Sequence, residues 1–104
     1  MFNIISEDFD LTPAIRDGIK EKVDQVNEHL RKEHSISVYL SKSSEQLFTV
    51  RMNVRVGKKD ITSSDTDRDF YAALSKAKDH LIRQVDRRNK KRIAMRHRQN
   101  YGGQ

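Results

Sequence analysis

Cysteine is absent from this 104-residue sequence, and proline occurs once, at Pro13. Without cysteine there are no disulfide staples, no thiol nucleophile and no thiolate zinc site. Tryptophan is also missing, and there are only four glycines. None of these forms a glycine-rich phosphate loop, since Gly57 stands alone and Gly102-Gly103 lies at the very end. Apolar runs are only a few residues long, too short to span a membrane. The first residues, Met1 to Asp8, lack the basic flank and apolar stretch of a signal peptide. A soluble, cytoplasmic protein of one domain is expected. Apolar residues are 35% of the chain and charged residues another 35%, so the core must be thin.

Charge is plentiful and unevenly placed. Residues 76–98 hold ten Lys/Arg against two acids, a balance of +8, whereas residues 1–75 carry a balance of −2. The whole chain is +6. A basic end on a near-neutral body points to a polyanionic partner. Membrane binding fits less well than RNA, because an interfacial helix needs its apolar face free for lipid. Here that face is needed to close the core.

Hydrophobic periodicity divides the chain into six elements. Phe2–Ser6 reads as a short strand. Thr12 and Pro13 form a helix start, as N-cap and first helical residue. Ile15, Ile19, Val23, Val26 and Leu30 then extend one apolar stripe to about residue 32. Ile36, Val38 and Leu40 alternate with polar residues, as do Phe48 to Val56. Gly57-Lys58-Lys59-Asp60 is a hairpin turn, and Ile61–Ser64 is the returning strand. Thr66-Asp67-Arg68-Asp69 offers caps and first-turn acids for a last helix, predicted to run to about Lys91. Its stripe is Phe70, Ala73, Leu74, Ala77, Leu81 and Val85. The order β-α-β-β-β-α implies an α+β two-layer sandwich: a four-stranded sheet with two helices packed on one face. The expected division is a domain over residues 1–92 and a basic, flexible tail over residues 93–104.

On a helical wheel with Phe70 at zero, Lys90, Arg83, Lys76 and Arg87 fall between about 200° and 260°. They form an outward basic stripe about four turns long, with His80 at its edge. Asp79 and Asp86 lie on the other flank, so the stripe itself is expected to contain no acid. In the first helix, Arg16, Lys20 and Arg31 flank the apolar stripe on one side and Lys22 on the other. Arg31 and Lys32 read as ordinary solvated residues. An extended cationic stripe suits several phosphates along a groove, with phosphate and shape readout dominating over base stacking.

Catalytic chemistry is not legible. His29 and His34 are five apart, the wrong spacing for a helical metal pair, and His80 and His97 stand alone; all four read as solvated surface residues. The serines lack a nucleophile elbow. Asp65, Asp67 and Asp69 are better explained by helix capping than by a metal. No cofactor and no small-molecule substrate is expected, and the reading is not an enzyme.

The element order, the segment Leu11-Thr12-Pro13-Ala14-Ile15-Arg16, and Asp69-Phe70-Tyr71-Ala72-Ala73-Leu74 followed by Leu81-Ile82-Arg83-Gln84-Val85 resemble the ribosome hibernation-promoting factor / protein Y family. The resemblance spans residues 1–92. It implies a double-stranded RNA-binding-domain-like fold, and binding to the small (30S) ribosomal subunit in the mRNA–tRNA channel. The partners implied are 16S rRNA and neighbouring ribosomal proteins, with mRNA and tRNA excluded sterically during stress or stationary phase. Some members also pair whole ribosomes, and this chain looks like the short form, expected to be monomeric when free. By the same resemblance Arg16, Lys22, Arg83, Arg87 and Lys91 match RNA-facing positions. His80 and Gln25 stand where many members carry Lys, so a contact through His80 would be pH-sensitive. The candidate RNA-binding set is Arg16, Lys20, Lys22, Lys76, His80, Arg83, Arg87, Lys90 and Lys91. The competing reading is a general double-stranded RNA-binding module, which would need a basic cluster where Thr66–Asp69 is acidic.

Overall fold

The computed structural model describes the backbone of residues 2–7, 9–30 and 34–102, with side chains described as far as residue 88. The order is β1 (Phe2–Glu7), α1 (Pro13–Asn27), β2 (Ile36–Lys42), β3 (Phe48–Val56), β4 (Lys59–Asp67) and α2 (Phe70–Gly102). The four strands lie in sequence order; β1 runs parallel to β2, and the other neighbours are antiparallel. Parallel pairing of β1 with β2 requires a crossover, which α1 supplies. The expected α+β sandwich is the observed fold.

Period-two alternation places Ile36, Val38, Leu40, Val50, Met52 and Val54 on one buried face of the sheet. Helical periodicity places Ile19, Val23 and Val26 of α1 and Phe70, Leu74, Ala77, Leu81 and Val85 of α2 against it. Phe9, Phe48 and Phe70 close one end of this core, with ring centroids 5.1–6.1 Å apart. The opposite sheet face is solvated; there the Arg51 guanidinium lies 5.7 Å above the Tyr39 ring.

α1 starts where its caps predict. The Thr12 hydroxyl accepts the Ile15 N–H at 3.3 Å, and Pro13 takes the first turn. The helix ends at Asn27, earlier than the stripe suggests. His29 and Leu30 donate to Val26 and Asn27 in tight turns, and the Asn27 amide oxygen accepts the His34 N–H at 3.0 Å. Leu30 still packs on the core from that turn, so the apolar spacing continues past the regular helix. Arg31 and Lys32 lie outside the described residues.

β4 is longer than its apolar residues indicate. The turn is only Gly57-Lys58, with Val56 paired to Lys59, and Gly57 sits at φ +66°, the left-handed conformation such turns require. α2 is capped by Asp69, whose carboxylate accepts the Tyr71 N–H at 3.1 Å. It continues to Gly102 rather than ending near Lys91. No proline or glycine interrupts the intervening residues, which are mostly good helix formers.

Candidate nucleic-acid interface

α2 crosses the sheet with its apolar line inward, so its other sides meet different neighbours. One side faces α1. Gly18 allows this approach: a Cβ there would lie 3.3 Å from the Tyr71 ring. At the far end the His29 imidazole meets the Asp86 carboxylate at 3.0 Å. The other side faces β4, the edge strand, where the Gln84 amide donates to the Thr62 carbonyl at 2.8 Å and covers part of the open edge.

That second contact changes the basic stripe. The helix-facing positions of β4 are Ile61, Ser63, Asp65 and Asp67. Ser63 is buried and donates to the Ala77 carbonyl at 2.7 Å. Asp65 meets His80 at 2.6 Å, and Asp67 meets Lys76 at 2.7 Å. Two members of the stripe therefore carry carboxylate partners from a strand that a helical wheel does not display. His29 and His80 are both engaged with aspartates, rather than merely solvated as the sequence suggests. Of the three predicted capping acids, Asp67 and Asp69 do cap the turn into α2, while Asp65 holds His80.

These pairs set the local charge. Hydrogen bonding from the Asp69 N–H, and then from Lys76, holds the Asp67 carboxyl below its ordinary value. The bond to Asp67 in turn raises Lys76. Asp79 is lowered, chiefly by its 2.7 Å contact with Lys78 and further by the fields of Arg83 and Lys22. Lys78 alone pairs with Asp79, while Arg83 and Lys22 of α1 act on it only through their fields. Lys20 is spent on Asp24 of its own helix at 3.7 Å. Arg16 is exposed on α1.

Arg83 and Arg87 differ from Lys76 and His80. Both are exposed, one turn apart, and neither forms an ion pair among the described residues. Their guanidinium groups are free to bind phosphate bidentately. Lys90 and Lys91 continue α2, but their side chains lie outside those described. Arg88 and Lys59 do not stand out in the sequence, yet they lie beside Arg87 around a cleft at the β3–β4 turn. A signal for Arg88 exists: on the same wheel it returns to about 0°, in line with Phe70. An arginine continuing the apolar line beyond Val85 must fold back over the core edge.

No group of three or more metal-ligating side chains occurs among the described residues. No helix among them is long and apolar enough to cross a membrane.

Comparison with known proteins places this geometry. The ribosome hibernation promotion factor of Lactococcus lactis subsp. cremoris is 25% identical over 86 residues, covering 81% of this chain. The chain spans 46% of that relative's length. The crystal structure of the Thermus thermophilus Protein Y N-terminal domain superposes with a TM-score of 0.75 at 27% identity, over 82% of this chain and 93% of that one. A ribosomal subunit interface protein from Coxiella burnetii shares the fold, with a TM-score of 0.76 at 18% identity, over 86% and 97% of the two chains. The family described as sigma 54 modulation protein / S30EA ribosomal protein matches residues 2–93, nearly the whole described domain, and this chain belongs to that family, the one to which hibernation-promoting factor and protein Y belong.

Proposed function

We propose that this chain is a non-enzymatic ribosome hibernation factor that binds the small ribosomal subunit and blocks translation sterically. The outer face of α2 docks on 16S rRNA phosphates in the mRNA–tRNA channel, and the rigid α+β body occupies the space mRNA and tRNA need. The observation that carries this reading is the exposed Arg83–Arg87 pair on a helix anchored by Leu74, Leu81 and Val85. Lys22 extends the same cationic surface from α1. Arg16 and Lys20 lie on α1 as secondary contacts, and Lys90 and Lys91 extend the α2 contact along the helix. Lys76 and His80 contribute only after leaving Asp67 and Asp65.

A general double-stranded RNA-binding module is the weaker reading. Such modules present cations at the start of the last helix. Here Asp67 and Asp69 occupy that start, with their carboxylates committed to backbone N–H groups.

Sedimentation of the chain with purified small subunits, at rising salt, tests the proposal. Binding should fall with a log–log slope of about 0.9 per phosphate neutralised. A flat response would replace phosphate recognition by protein–protein contact. The same gradient run on whole ribosomes separates occupancy of monosomes from pairing of ribosomes.

The carboxylate partners give a second expected outcome. Changing Asp65→Asn with Asp67→Asn releases Lys76 and His80 and removes two negative charges beside the stripe. Small-subunit affinity at low salt should rise about two-fold, since exposed ion pairs hold their partners only weakly. Filter binding measures it. A fall in affinity, with the melting temperature held, would show that the acids orient the cations for binding instead of competing with RNA.

A further inference from the structure

Where the β3–β4 turn meets α2, a cleft of about 260 Å³ is lined by Lys59, Asp60, Ile61, Gln84, Arg87 and Arg88. Its charge is three cations against one acid. The Arg88 side chain is folded back against the turn: its Nη2 lies 3.5 Å from where a Cβ on Gly57 would stand. Its Nη1 is shielded from solvent and has no hydrogen-bond partner among the described residues. A guanidinium N–H held out of water without an acceptor is costly, and buried donors of this kind are rare. Gln84, the one neutral polar residue in the lining, is already committed to the Thr62 carbonyl. Asp60 is exposed and pairs in register with Arg55 across the turn strands.

We propose that Lys59, Arg87 and Arg88 form a binding niche for a phosphate group. Arg88 supplies a planar fork, which matches two phosphate oxygens once its shielded Nη1 turns into the cleft. Lys59, at the first position of β4, supplies a point charge from the strand side of the cleft. Arg87, exposed on α2, adds the third cation of the lining. With Asp60 included the niche keeps a net +2, enough to hold a phosphate monoester dianion or a backbone diester. The turn contributes as well. Gly57 at φ +66° keeps the turn backbone beside the guanidinium, and a side chain at that position would be strained by its left-handed backbone. The niche lies beside the β3–β4 turn and shares Arg87 with the outer face of α2, but Lys59 and Arg88 lie outside that face, so its phosphate chemistry does not depend on the ribosomal reading.

Two sources could supply the phosphate, an RNA backbone or a free anion, and one titration separates them. The isotope-labelled full chain is titrated with sodium phosphate, then with a short RNA hairpin lacking terminal phosphates. Sodium chloride and sodium acetate at equal ionic strength serve as controls. The expected result is a saturable shift of the Arg88 Nε–Hε and Gly57 amide resonances with phosphate, absent with chloride or acetate. Arg88→Lys, which keeps the charge but loses the fork, and Lys59→Ala should each weaken the phosphate dissociation constant about ten-fold. Saturation by the hairpin as well assigns the niche to an RNA backbone; saturation by phosphate alone assigns it to a free anion. If neither probe moves Arg88 and Gly57 further than chloride and acetate do, the niche is overturned. So it is if both variants, folded by their melting temperatures, bind phosphate as the parent does. No ribosome enters this measurement, so its outcome is independent of whether small-subunit binding is found.

Discussion

Reversing Arg83 and Arg87 together to glutamate is expected to reduce small-subunit affinity about 100-fold or more and leave the fold intact. The two side chains are exposed and carry no ion pair among the described residues, so neither supports the core. A hydrogen bond to a charged group is worth about 1.5–3 kcal/mol, and losing two such contacts amounts to about 3 kcal/mol. At about 1.4 kcal/mol per ten-fold, that is roughly two orders of magnitude before repulsion is counted. The new carboxylates also face the phosphates that the lost cations would have held. Circular dichroism and the melting temperature should match the parent chain within small margins. Retained co-sedimentation at native dichroism would remove the outer face of α2 from the mechanism. Single reversals should divide the loss between them, and the salt slope should drop with each phosphate contact removed.

Leu81→Ala is expected to act oppositely, on stability first and on binding only through it. Leu81 is fully buried, near the middle of the α2 core line and among Leu74, Ala77 and Val85. Truncation of a buried leucine removes its transfer energy and leaves a cavity, at a typical loss of about 3 kcal/mol. Domains of this size have a total stability of only about 5–15 kcal/mol. The melting temperature should fall by roughly 15 °C. Below the new transition the variant should still bind small subunits, because the outer arginines keep their places. A loss under about 1 kcal/mol in urea unfolding would mean that α2 is not held to the sheet through this line. The two variants together separate the helix's two sides: one anchors it, the other uses it.

Much of the architecture is legible in the sequence because its determinants are local. Thr12-Pro13 states a helix start in two adjacent residues, and the structure uses both as read. Phe48 to Val56 alternates cleanly, and β3 has those very limits. Alternation makes β4 too short because Ser63, Asp65 and Asp67 are polar at inward positions, where apolar groups are expected. They face inward because α2 offers each a partner: the Ala77 carbonyl, His80 and Lys76. The apolar stripe overshoots the end of α1 for a related reason. Leu30 keeps the apolar spacing while its backbone has left the helix, so burial and helicity part company there.

The sequence by itself determined the order of elements, the apolar lines that make the core, and the concentration of positive charge in the last helix. These depend on spacing along one chain, which residue order records completely. Only the tertiary structure decided which of those charges are free. Pairing of Lys76 with Asp67 and of His80 with Asp65, and the folding of Arg88 onto the Gly57 turn, join positions far apart in the chain. Electrostatic interaction depends on distance in space and not on separation in sequence, so a wheel drawn on one helix leaves out the strand beside it.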